Sequence, residues 1–122
     1  AVCGLGTLLL KNGEQLDQSG NTMPVANMEP RTAIGVSQDG KEVYLMVVDG
    51  RNFYYSNGAD LLDLMNLMSA CGACDALNLD GGGSSALWTA QEGVVSHPSD
   101  NRRFDHAGER AVPNGIVARP RK

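Results

Sequence analysis

Residues 78–85, Asn-Leu-Asp-Gly-Gly-Gly-Ser-Ser, constrain this chain more than any other stretch. Asp80 closes the apolar run 76–79, and three consecutive glycines and two hydroxyls follow at once. Glycine accepts positive φ and lets a ligand approach the main chain closely, while exposed amide N–H groups and serine hydroxyls can surround an anion. Two readings fit, a binding or catalytic turn and an ordinary flexible hairpin loop, since glycine clusters also mark plain turns. The carboxylate at the end of an apolar strand favours the first.

A chain of 122 residues, 42% of them hydrophobic, is the length of one domain. It can bury roughly two-thirds of the surface its unfolded form exposes. Residues 1–122 are therefore read as a single domain. The formal charge of −4 argues against a nucleic-acid partner, because such proteins carry a basic stripe. Positive charge is local: Arg102, Arg103 and Arg110 share one segment, and Arg119, Arg121 and Lys122 form a solvated tail. No segment reaches the roughly 18 to 20 continuous apolar residues that cross a bilayer, so no membrane span is expected. Ala1-Val2-Cys3 lacks the basic start and long apolar region of a signal peptide, and a start without Met fits a processed product or an excised piece. Cys3, Cys71 and Cys74 are an odd number, which leaves one thiol unpaired unless it bridges to another chain.

Periodicity predicts an α+β domain, a mixed and largely antiparallel sheet with one main packed helix. Residues 6–10 read as a short strand ending at the Asn12-Gly13 turn, and 14–29 as an irregular loop. Residues 32–37 and 42–48 read as two strands joined by Asp39-Gly40, a type I′ hairpin signal. With Gln38 opposite Lys41, counting back sets Arg31 level with Val48 and Pro30 level with Asp49. Arg31 and Asp49 then point to opposite faces, so direct contact between them needs a bend. Residues 60–70 read as the helix, with Leu61, Leu64, Met65 and Met68 on one stripe, Asp60 at the cap and Gly72 as the stop. A buried strand 76–79, the glycine turn, a returning strand 85–89, a polar segment 91–110 and a final strand 111–118 complete the reading. Pro113 demotes the start of that last strand to an edge or bulge.

Comparison with known phosphate motifs fails in an informative way. There is no Gly-x-x-x-x-Gly-Lys-Ser/Thr, and the residues after Ser85 alternate as a strand and open no helix, which argues against a nucleotide P-loop. The strand-turn-helix of a hydrolase nucleophile elbow is missing for the same reason. His97 and His106 stand in a polar loop at no metal-ligand spacing and read as surface or structural residues. Cys71-Gly72-Ala73-Cys74 closes a helix, whereas redox C-x-x-C motifs open one, so structural cysteines or a strained local disulfide are expected.

Four ordered blocks carry a further signal: Pro30-Arg31-Thr32-Ala33-Ile34-Gly35, Val47-Val48-Asp49-Gly50-Arg51, Ala76-Leu77-Asn78-Leu79-Asp80-Gly81-Gly82-Gly83-Ser84-Ser85 and Glu109-Arg110-Ala111-Val112-Pro113-Asn114. Together they resemble the phosphodiester glycosidase domain family, which includes an N-acetylglucosamine-1-phosphodiester alpha-N-acetylglucosaminidase and many bacterial and phage proteins, some associated with exopolysaccharides. The resemblance runs from about Gly4 to about Val117. It implies an α+β domain that hydrolyses a sugar-phosphodiester, releasing free sugar and a phosphomonoester, and it favours an exported or extracellular setting. Family domains generally begin with further strands, including a glycine- and aromatic-rich block that has no counterpart here. The chain thus resembles the C-terminal part of such a domain, and the expected partner is a complementary N-terminal chain or a second copy of this one.

The residue types suit that chemistry on their own terms. Cleaving a glycosyl phosphate stabilises an oxocarbenium-like centre while phosphate leaves, and a phosphomonoester leaves readily once its charge is neutralised. Arginine grips phosphate oxygens with a planar, permanently charged fork. Arg31, Arg51 and Arg110 are the candidates, with Asn78, Gly81, Gly82, Gly83, Ser84 and Ser85 as neutral donors. Asp80 is the first candidate for base or nucleophile, followed by Asp49 and Glu109; for each the alternative is a turn cap or an ion pair. Asp49 and Asp80 with Asn78 can also make an oxygen site for calcium or magnesium, in which case the metal neutralises the phosphate. A non-catalytic carbohydrate- or phosphate-binding module, and a scaffold subunit that pairs through an exposed strand edge, are the readings from other classes.

Overall fold

The computed structural model describes residues 6–21 and 25–122. Five antiparallel strands form one sheet in the order β2-β1-β5-β3-β4, where β1 is Thr7–Lys11, β2 Glu14–Gln15, β3 Arg31–Val36, β4 Val43–Val48 and β5 Asp75–Asn78. One helix, α1 (Leu61–Cys71), covers one face, and a separate two-stranded ribbon pairs β6 (Trp88–Thr89) with β7 (Gly93–Val94). This is the α+β arrangement expected.

The hairpin β3–β4 keeps the expected register, with Arg31 opposite Val48 and Ala33 opposite Met46. Its turn differs. Asp39 does not take positive φ, as a type I′ turn requires. Instead Gly40 N–H donates to Ser37 O at 3.0 Å, and the Asp39 carboxylate accepts from Ser37 Oγ and Lys41 N. A side chain that closes its own turn holds four residues in a loop where two suffice. Asn12-Gly13 makes the two-residue turn, with φ of 51° and 79°, and so β2 forms where irregular chain was expected.

Helix α1 starts on a capping box: Asp60 Oδ1 accepts from Asp63 N at 2.8 Å and Asp63 returns the bond to the Asp60 backbone. It ends at Gly72. Leu61, Leu64, Met65 and Met68 form the buried stripe and pack on Leu9, Leu10, Ala33 and Ala76 from the central strands. Leu9 and Leu10 are both buried despite being neighbours, because the β1–β5 register shifts between Leu8 and Leu10. The expectation of Met as core filler holds here.

Two expected strands need correction. Of 85–89 only Trp88–Thr89 is strand, and it pairs within the small ribbon and not with the main sheet. Residues 111–118 form no strand and are exposed throughout; Pro113 has no N–H to give, and no apolar neighbour rewards pairing. Cys71 and Cys74 are free thiols, so no local disulfide forms. Cys3 lies outside the described residues.

The sheet's other face is apolar too. Leu8, Ile34, Leu45, Val43 and Leu77 alternate with the core residues across β1, β5, β3 and β4. No element among the described residues covers them, and Leu8, Leu45 and Val43 stay 43%, 37% and 63% exposed. No helix among the described residues is long and apolar enough to cross a membrane.

Candidate active site

Strand β3 begins where β4 and β5 end, so Pro30 and Arg31, the Asp49-Gly50-Arg51 turn and the glycine run meet at one end of the sheet. The run is built as a single 3-10 turn, Gly82–Ser84. Gly82 N–H donates to Pro30 O at 2.8 Å, and Ser84 and Ser85 N–H donate back to Gly81 O and Gly82 O at 3.1 Å each. Three amides of the expected anion cradle are therefore turned inward. The turn's outward polar groups are side chains.

Two arginines flank it. Arg51 adopts φ 58°, donates Nε to Glu29 Oε2 at 2.6 Å, and lays its guanidinium over Gly82. A Cβ on Gly82, itself at φ +58°, would stand only 3.0 Å from Arg51 Nη2. Arg110 donates Nη2 to Ser84 Oγ at 2.9 Å and pairs through Nη1 with Asp100 at 3.3 Å. A Cβ on Gly83 would fall on the Asp100 carboxylate. Glycine is thus needed twice so that two cations can close on the backbone.

Arg31 plays another part. Only 5% exposed, it donates Nε to Ala59 O at 2.9 Å and Nη2 to Asn27 O at 2.7 Å. Burial pulls its pKa below the ordinary arginine value, and the charges of Glu29 and Asp60 oppose that shift. Here it ties the helix entry to β3, and it meets Asp49 no more than the register predicted. Ser85 is likewise buried, accepting from Thr32 Oγ1 at 3.0 Å. Asn78 is buried at the end of β5 with Oδ1 unpartnered among the described residues.

Of the three acids, Asp49 is the one with a histidine partner. Its Oδ1 accepts the backbone N–H of His97 at 2.8 Å and its Oδ2 lies 2.7 Å from His97 Nδ1. A carboxylate on Nδ1–H fixes the tautomer that leaves Nε2 free to take a proton. His97 is stacked on Phe104 with centroids 3.8 Å apart, and His106 lies against its other side at 4.4 Å, its own Nδ1 at 2.7 Å from Ser96 O. Asp80 is exposed at the entry to the glycine turn and makes no hydrogen bond or ion pair among the described residues. Glu109 is exposed in the same way, and its neighbour Arg110 pairs with Asp100 instead.

The oxygen set for calcium or magnesium is weakened by this geometry, since Asp49 commits both oxygens to His97. Among the described residues no group of three or more His, Cys, Asp or Glu side chains is arranged to hold a metal ion. An open depression of about 310 Å³ lies at the opposite end of the sheet, beside Gln38, Ser69 and Gly72, and none of the candidate residues lines it.

His97 is a candidate that the sequence did not place at this site. Its loop has no regular period, and a partner 48 positions away leaves no trace in local spacing.

The family model for phosphodiester glycosidase matches residues 1–119. This chain belongs to the phosphodiester glycosidase family. Three solved structures are similar to it. The catalytic domain of zebrafish N-acetylglucosamine-1-phosphodiester alpha-N-acetylglucosaminidase, auto-inhibited by its pro-peptide, is 28% identical over 75% of this chain and 33% of that one, with a TM-score of 0.62. A putative exported protein from Burkholderia pseudomallei is 38% identical over 66% of this chain and 15% of its own, TM-score 0.57. A hypothetical protein from Synechocystis is 31% identical over 65% of this chain and 15% of its own, TM-score 0.53. The chain thus spans a third or less of each of these structures. No curated protein matches.

Proposed function

We propose that this chain hydrolyses a sugar-1-phosphodiester to free sugar and a phosphomonoester. The observation that carries the proposal is the Asp49–His97 pair, set two residues from an arginine that closes on the glycine turn. Arg51 and Arg110, each already oriented by one carboxylate, take the oxygens of the leaving phosphate, with Ser84 Oγ as a neutral neighbour. His97 Nε2 accepts a proton from water as its oxygen attacks C1; the C1–O bond to phosphorus breaks and its electron pair leaves with the phosphomonoester. Asp80 faces the positive centre that develops at the sugar and stabilises it; were Asp80 instead to attack C1 first, the phosphomonoester would leave in that step and the His97-activated water would then hydrolyse the resulting glycosyl ester. Glu109, on the same segment as Arg110, is a secondary candidate, while Arg31, Asn78 and Ser85 hold the frame.

The chain is read here as the C-terminal part of a phosphodiester glycosidase domain that acts with a complementary chain. The uncovered apolar face of the sheet and the 33% coverage of the zebrafish structure support this. The test is release of reducing sugar from a panel of sugar-1-phosphodiesters by the chain with its full complement, with and without chelator. Asp80→Asn keeps the size of the side chain and removes the anion, so turnover should fall by about two or more orders of magnitude with folding little changed. Normal turnover would remove Asp80 from catalysis. Hydrolysis of no member would leave the carbohydrate- or phosphate-binding module as the function.

A further inference from the structure

Three aromatic residues follow Arg51 directly, and all stand in solvent: Phe53, Tyr54 and Tyr55 are 85%, 88% and 71% exposed. Their loop is not slack. Asn52 and Ser56 bridge it with two reciprocal backbone bonds of 2.9 Å, Asn52 Oδ1 accepts from Tyr54 N at 3.3 Å, and Ser56 Oγ donates to Asp49 O at 2.6 Å. A built loop that holds large rings in water marks a binding surface, because the same residues would otherwise turn inward.

Tyr55 connects this loop to the catalytic pair. One face stacks on Phe104, centroids 4.5 Å apart and planes 8° from parallel, and the other side of Phe104 stacks on His97. Tyr55, Phe104 and His97 form one column, with Tyr55 at its outer end and Asp49 gripping its inner end. The segment that supplies Phe104 is itself braced. Asp105 Oδ1 accepts from Asn101 Nδ2 and Ala107 N, and Asn101 Oδ1 accepts from Arg103 N.

We infer that the outer face of Tyr55 is a subsite for a pyranose ring of the substrate other than the one whose bond is cleaved. The axial C–H groups of a pyranose form an apolar face that lies flat on an aromatic ring, and a flat, stiff phenol offers that contact at little entropic cost. The whole thickness of Phe104 separates this face from His97, so the sugar it holds lies beyond the reacting sugar. Binding energy from such a remote group can be used to hold the scissile bond against His97. This inference rests on the hydrolytic reading for the word substrate, and on the column of rings for the subsite itself.

Saturation-transfer NMR on the full chain with its complement, using methyl pyranosides of glucose, mannose and N-acetylglucosamine, tests the subsite without needing turnover. At least one glycoside should receive saturation at its ring protons, Tyr55→Trp should retain the contact, and Tyr55→Ala should weaken binding about tenfold. Equal binding by wild type and Tyr55→Ala, or no binding of any glycoside, overturns the subsite. In kinetics, Tyr55→Ala should lower kcat/KM for a phosphodiester bearing an additional sugar about tenfold more than for a monosaccharide phosphodiester. An equal loss on both would mean that Tyr55 merely props Phe104 and His97, and would also overturn it. Loss of glycoside binding in Tyr55→Ala by a chain that hydrolyses nothing would sink the enzyme reading and leave the subsite standing.

Discussion

Asp49 grips His97 twice, once at the backbone N–H and once at ring Nδ1, at 2.8 and 2.7 Å. The double contact fixes where the ring sits and which of its nitrogens carries the proton. Asp49→Asn can present its amide nitrogen to Nδ1 and so favour the wrong tautomer. Turnover should fall on the order of a hundredfold or more with the fold retained. Paired measurements of kcat and the thermal midpoint check this, and His97→Asn should cost about as much. Full activity in both variants would remove the pair from the mechanism.

The three arginines should separate by experiment. Arg51→Lys and Arg110→Lys keep charge but lose the fork, so hydrolysis of phosphodiesters should suffer more than hydrolysis of activated aryl glycosides, whose leaving group needs no such grip. Arg31→Lys should act mainly on stability, costing about 2 to 3 kcal/mol in urea unfolding, because a buried guanidinium that serves two carbonyls is replaced by one ammonium.

At Gly82, alanine meets both a positive φ and the Arg51 guanidinium 3.0 Å away; at Gly83 it meets the Asp100–Arg110 pair. The backbone penalty is about 1 kcal/mol for Gly82→Ala. Displacing a phosphate-binding cation should cost at least about tenfold in kcat/KM for either variant. Unchanged kinetics would show that the two arginines do not act from these positions.

Asp75 links the Asn12-Gly13 turn to β5. The Asn12 N–H at 3.0 Å, first, and Lys11 Nζ at 3.3 Å hold its carboxyl below the ordinary range. A depressed carboxylate stabilises the fold above its unfolded pKa of about 3.9, and that contribution is lost as pH falls through the lower folded value. Asp75→Asn should therefore lower the urea midpoint at pH 7, with the gap from wild type narrowing as pH falls below about 4. A gap independent of pH would assign the effect to the hydrogen bonds alone.

The uncovered face of the sheet gives an assembly test. Leu8, Val43 and Leu45 should be covered by a complementary chain of the same domain, because a soluble protein ordinarily buries such a surface. Sedimentation should show a species heavier than the single chain, and Leu45→Glu should dissociate it. A stable monomer with two-state unfolding would exclude the partner.

Local chemistry determined much of this protein. Alternation and turn residues located β3, β4 and their register through to Arg31, the 3.6-residue stripe and Asp60 cap located α1, and the glycine run announced a tight turn, though as an anion cradle. Those signals are legible because each depends on neighbours within a few residues. Tertiary structure decided which residue types became which parts. Arg31 and Arg51 look alike in sequence, yet one is buried under carbonyls and the other lies over Gly82. Asp39-Gly40 carries a type I′ signal, but the Asp39 side chain closes a longer loop. His97 reads as a surface residue until Asp49, Phe104 and His106 surround it from distant segments. The reason is physical: a turn or a helix is paid for by local backbone bonds, whereas a carboxylate–imidazole pair such as Asp49–His97 exists only where packing brings together side chains with no short-range reason to meet.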